Sequence, residues 1–74
     1  MTLDQIERHK TVVIKDLKHS PWSLRLTELG FVPGTKTSVI RKSPFGSTLY
    51  VRLNSGRIAL RSIEARQVVI SELD

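Results

Sequence analysis

Along the 74 residues, apolar and polar positions alternate at two different periods, and the change of period outlines the fold. The β-branched run "TVVIKDL" (11–17) predicts a first strand. Trp22, Leu26 and Leu29 then recur at helical spacing, with Ser20 as N-cap and Pro21 at the first helical position. Gly30 is placed to close that helix in the left-handed conformation, and the closure would bring Phe31 back onto Leu26. Pro33-Gly34 suits a type II turn, because proline presets the first dihedral and glycine tolerates the positive one. Period two takes over from there. "TKTSVIRKS" (35–43) predicts a strand broken by Pro44 and Gly46, and "TLYVRL" (48–53) alternates with Leu49, Val51 and Leu53 inward. "RIAL" (57–60) follows with Ile58 and Leu60 inward.

A two-residue turn at Ser55-Gly56 would pair Leu53 with Ile58 and Val51 with Leu60, apolar against apolar. In that register Tyr50 lies opposite Arg61 and Arg52 opposite Ala59. "SIEARQ" (62–67) suits one helical turn and "VVIS" (68–71) a last strand. At the start, Thr2 and Gln5 have capping-box spacing, with Leu3 and Ile6 tucked under the core. The expected architecture is a single mostly β domain over 1–74. It is a small, closed or nearly closed SH3-like barrel, with a helix inserted between strands 1 and 2 and a helical turn before the last strand.

Composition narrows the chemistry. Cysteine is absent, which removes disulfides and thiolate metal sites and fits a reducing compartment. No apolar run approaches the roughly 20 residues that span a bilayer, and the N-terminus lacks a signal peptide's apolar stretch. A cytoplasmic, soluble protein without direct membrane insertion is expected. Twelve Lys+Arg against seven Asp+Glu give a formal charge of +5, which favours acidic partners and also serves solubility. The two histidines, His9 and His19, lie near the N-terminus, and no nucleophile-elbow or phosphate-cradling glycine pattern accompanies them. Enzyme chemistry is therefore not expected, and no cofactor is. Glu7, His9, Asp16 and His19 carry donor atoms for a divalent metal, but their spacing forms no compact motif and solvated surface is the preferred reading.

Two surfaces remain as candidates for partner binding. One is the outward face of the meander, where Tyr50, Arg52, Arg57 and Arg61 would form a basic strip with one aromatic. It could meet acidic protein, lipid headgroups or nucleic acid, or could simply keep an exposed sheet face soluble. The other is the helix corner. Either Leu24 or Trp22 would stay partly exposed there, and with Phe31, Val32 and Phe45 could form an apolar patch rimmed by Arg25, Lys36 and Arg41. Leu26 and Leu29 read as core. Few aromatics are free to line a polyproline groove or to stack on single-stranded nucleic acid, so both uses are disfavoured.

The chain resembles a known family at this point. Arg25-Leu26, Leu29-Gly30, Pro33-Gly34, the Pro44-x-Gly46 turn, Leu60-Arg61 and Ala65, in that order over roughly residues 25 to 70, are similar to the FeoA family of bacterial ferrous iron uptake. The chain departs from that pattern in two turns. Gly46-Ser47-Thr48 stands where the family commonly has Gly-Asp-Pro, and "ERHK" stands where it commonly has a glycine before the first strand. The resemblance implies an SH3-like barrel and a non-enzymatic adapter or regulator docking on FeoB, the membrane transporter with a cytosolic GTPase domain. The same barrel ends iron-dependent transcriptional repressors, after DNA-binding and dimerisation domains for which these 74 residues offer no match. A small basic nucleic-acid-binding barrel, or a transition-metal-sensing domain, is the alternative. Exposed strand edges would also allow pairing between copies.

Overall fold

The computed structural model describes residues 1–54 and 56–72. Its elements are a single 3-10 turn (Leu3–Gln5), β1 (Thr11–Leu17), α1 (Ser23–Leu29), β2 (Lys36–Lys42), β3 (Thr48–Leu53), β4 (Gly56–Arg61), α2 (Ser62–Ala65) and β5 (Val68–Glu72). The strands form one antiparallel sheet in the order β4-β3-β2-β1-β5. The ladder does not close into a full barrel, since β4 and β5 are its two edges, joined only through α2. The N-terminal segment runs from β5 to β2. Met1 O accepts from Ile70 N–H at 3.0 Å, and His9 N–H donates to Val39 O at 2.8 Å. Leu3 and Ile6, between those anchors, are buried in the core.

The inserted helix begins later than the Ser20-Pro21 pattern predicts. The Ser23 side chain bonds the Ser20 backbone: Ser23 Oγ donates to Ser20 O (2.5 Å) and accepts from Ser20 N–H (2.9 Å), while Ser20 Oγ accepts from Trp22 N–H (3.2 Å). Such local bonds favour a turn over a helix, so α1 starts only at Ser23. Its end follows the expectation. Gly30 is left-handed (φ 109°), its N–H reaches Thr27 O at 3.0 Å, and Phe31 N–H reaches Leu26 O at 3.0 Å. This is a Schellman closure, and its usual apolar contact brings Phe31 and Leu26 together, both fully buried. The Val32–Thr35 turn has its 3.1 Å bond and positive φ at Gly34, and Gly34 N–H clips the corner to Ile14 O of β1 at 2.8 Å. Leu60 and Ala65 are also fully buried, and Leu29 packs at the core's margin. The rigid corner between α1 and β2 therefore fixes the helix against the sheet.

Two left-handed residues shape the turns, and the first corrects the expected register. Asn54 is left-handed (φ 55°) and turns the chain directly after Leu53, so Gly56 already pairs with Leu53. Val51 then faces Ile58 and Leu49 faces Leu60, two residues away from the predicted pairing. A slip of two keeps every side chain on its face, which is why both registers match apolar to apolar. Ser55 of the predicted turn lies outside the described residues. The second feature precedes β1. His9 takes φ 65° in the Glu7–Lys10 turn, at the place where the resembling family commonly has glycine. Histidine is among the non-glycine residues enriched in that conformation.

Candidate functional site

Strict alternation along β2 would turn Arg41 toward the core. A bulge prevents this: Val39 pairs with Val51, but it is Arg41 and not Ile40 that pairs with Tyr50. The extra residue re-aims Arg41 onto the outer face. Its guanidinium carbon sits 4.4 Å from the centroid of the Tyr50 ring. A partly exposed contact of this kind contributes about 0.5–1 kcal/mol. Across the other edge, Ala59 and not Arg61 lies opposite Tyr50. Its small side chain leaves a shallow groove of about 440 Å³, lined by Arg8, Ile40, Arg41, Tyr50, Arg57, Ile58 and Ala59. Arg8 arrives because the N-terminal segment bridges to Val39.

The groove is cationic throughout, with three arginines and no carboxylate among its lining residues. Arg52 and Arg57 face each other directly across β3 and β4. Like charges in that position destabilise a hairpin. Neither has an acidic partner within 4.0 Å among the described residues, and the same holds for Arg8, Arg41 and Arg61. Arg61 is exposed too, but it pairs with Thr48 at the far end of β4, about 13 Å along the strand from Arg57. The structure thus keeps Tyr50 and Arg57 together and separates Arg61. Arg52 turns toward a second, polar groove shared with Lys36 and Ser38. Arg8 and Ile40 were not legible as site residues, although the adjacent apolar pair Val39-Ile40 in a polar run is a bulge signal.

The helix corner does not form the single patch expected of it. Phe31 is fully buried by the Schellman closure and is removed from any contact surface. Leu24 is 71% exposed, and the groove beside it is lined by Pro21, Arg25, Glu28 and Leu29, while Trp22 packs against the core. Phe45 stands apart on the β2–β3 turn. Arg25 is tied to the core side while staying half exposed: its Nε lies 2.6 Å from Oε2 of Glu64, a carboxylate only 3% exposed. Glu64 Oε1 also accepts from Arg61 N–H at 3.0 Å. Burial pushes the Glu64 carboxyl up, but the Arg61 N–H and the Arg25 guanidinium together outweigh it and hold the pKa below the ordinary value of 4.5. Glu64 ties α1 to α2 and was not foreseen.

His9 and His19 are exposed, and neither is bonded to a hydroxyl among the described residues. Asp16 Oδ1 accepts from the neighbouring Leu17 N–H at 2.8 Å. Among the described residues no three His, Asp or Glu side chains gather where a metal ion could be held. None of the described helices is long and apolar enough to cross a membrane.

The family model described as the FeoA domain matches residues 1–72. The chain belongs to the FeoA family. Iron(II) transport protein A from Clostridium thermocellum superposes with a TM-score of 0.92 at 26% identity, over 99% of this chain and 46% of that one. The chain thus spans about half the length of that relative. Stenotrophomonas maltophilia FeoA, a procaryotic SH3 domain protein solved with zinc, superposes at 0.83 with 36% identity, over 96% of this chain and 89% of that one. A manganese-dependent transcriptional repressor shares the fold at 18% identity and a TM-score of 0.87, over 97% of this chain and 36% of that one. No curated protein sequence matches. An SH3-like fold of five strands is therefore common to this chain and FeoA proteins.

Proposed function

We propose that this FeoA-family chain is a non-enzymatic accessory of ferrous iron transport that docks on the cytosolic portion of the FeoB transporter through the groove of Arg8, Arg41 and Arg57. Family membership supplies the transport setting. The Stenotrophomonas maltophilia protein, 36% identical, has been suggested to act as a ferrous iron transport activating factor. The observation that carries the docking surface is the unpaired arginine cluster around Tyr50. Facing arginines without an acid between them cost the isolated fold stability, and an acidic partner surface would offset that cost. Tyr50 and Ile40 supply the apolar floor that such an interface needs at its centre. The protein would work in the cytoplasm and regulate its partner without a cofactor of its own.

A pull-down from membrane extract tests this, with the native chain and with Arg8, Arg41 and Arg57 each changed to glutamate. Recovery of the GTPase-bearing transporter by the native form alone is the expected result. Equal recovery by both forms would move the contact to the Leu24 groove beside α1. Recovery of nucleic acid in place of the transporter would overturn the adapter reading.

A further inference from the structure

Phe45 is 97% exposed, the most exposed of the large apolar side chains in the described chain. It is held out by its backbone. Gly46 N–H donates to Ser43 O at 2.9 Å, with Gly46 left-handed (φ 71°), and Ser43 N–H donates to Thr48 O at 2.9 Å. Thr48 N–H donates to Ser43 Oγ at 3.1 Å. From α2, Ser62 N–H donates to Ser47 O at 2.9 Å, and Ser62 Oγ donates to Gly46 O. Pro44 fixes the dihedral before the ring. These bonds fix the backbone of the turn with Phe45 at its exposed tip, so the turn presents an aromatic ring to whatever lies outside.

The surroundings say what that is. Lys42 ends the strand before the turn, with its Nζ donating to Asp4 O at 2.9 Å, and Arg61 pairs with Thr48 directly after it. Arg66 follows one turn along α2, beside the 39% exposed Ile63. Residues 43–48 contain no acid. Asp4 accepts from Thr2 Oγ1 at 2.5 Å and lies 4.0 Å from Arg66, and Glu64 of α2 is buried against Arg25. A convex tip with one aromatic, a second apolar side chain behind it and a cationic rim matches the interface of an anionic bilayer. There the ring enters the headgroup boundary and the cations meet lipid phosphate.

We infer that the Phe45 turn is a membrane-surface contact, which binds anionic lipid reversibly and independently of the arginine groove. One aromatic with a few cations gives weak attachment, suited to a protein that visits the membrane. The test is co-sedimentation of the native chain and of Phe45→Ser with vesicles of phosphatidylglycerol and phosphatidylcholine, and with phosphatidylcholine alone. Native protein should sediment with the anionic vesicles only, and Phe45→Ser should lower the bound fraction about fivefold or more. Its melting temperature should be unchanged, since the ring buries nothing. In Phe45→Trp, the emission should shift to the blue on adding anionic vesicles, beyond any change seen with Trp22 alone. No sedimentation of native protein at low salt, or equal sedimentation of Phe45→Ser, would overturn the inference. Loss of binding to the soluble cytosolic portion of the transporter by Phe45→Ser, with no vesicle binding by the native chain, would assign the ring to a protein pocket and overturn it too. Because the vesicles hold no transporter, failure here leaves the groove proposal standing.

Discussion

Two regions of this small molecule use arginine in opposite ways. At the corner where α1 meets α2, Arg25 bonds the buried Glu64 carboxylate, Glu64 bonds the Arg61 backbone, and Phe31 closes over Leu26. Both oxygens of the buried carboxylate there have a partner within the chain. On the outer face of β2–β4, Arg8, Arg41 and Arg57 surround a groove with no carboxylate, and Arg57 stands directly opposite Arg52. The first region is complete and contributes stability. The second leaves its charges without a counter-ion among the described residues, which is the feature the proposed docking on an anionic partner would use. The same residue type is paired in one region and left without a counter-ion in the other.

Substitutions should separate the two regions by the size of their effect on folding. The largest is Phe31→Ala, which empties the centre of the core and should cost about 3–5 kcal/mol, enough to unfold most of a small domain in thermal or urea melts. Glu64→Gln should cost about 1–2 kcal/mol, chiefly through the weakened Arg61 N–H bond, since the Arg25 side of the pair is partly screened by solvent. That cost should depend on pH. The folded pKa of Glu64 lies below its unfolded value near 4.5, so its stabilisation is full above that value and is lost as pH falls through the lower, folded one. Urea melts of both proteins at neutral and strongly acidic pH should show the gap closing in acid. Gly30→Ala should cost about 1–3 kcal/mol, because φ 109° is hostile to a side chain and the new Cβ would sit 3.2 Å from Leu53 Cδ2. A melt that moved as much for Arg41→Glu as for Glu64→Gln would erase the contrast.

What could be read in the sequence was mostly local. β1 and β3 have the predicted boundaries because β-branched and apolar residues dominate each, Thr11–Ile14 opening β1 and Thr48–Leu53 alternating between the Ser47 and Asn54 turns. The Gly30 closure was legible because glycine, Leu26 and Phe31 lie within six residues. What could not be read depended on distant partners. The burial of Glu64 requires Arg25, 39 positions earlier in the chain. The hairpin register required knowing that Asn54 is left-handed, since alternation alone permits a slip of two. Placing Phe31 on a surface patch conflicted with the closure that brings it onto Leu26, and packing decided for the core. Arg8 joined the groove only through a bridge between the N-terminal segment and β2.

Arg57→Glu tests the central contrast most directly. Opposite Arg52, the new carboxylate would turn a repulsive cross-strand pair into an attractive one and should raise stability by about 0.2–1 kcal/mol, a few degrees in melting temperature. The same change should weaken binding to the purified cytosolic portion of FeoB at least about tenfold, measured by titration calorimetry. A protein that folds better and docks worse would show that the groove's charge is kept for a partner. Unchanged binding by a stabilised Arg57→Glu variant would contradict the account.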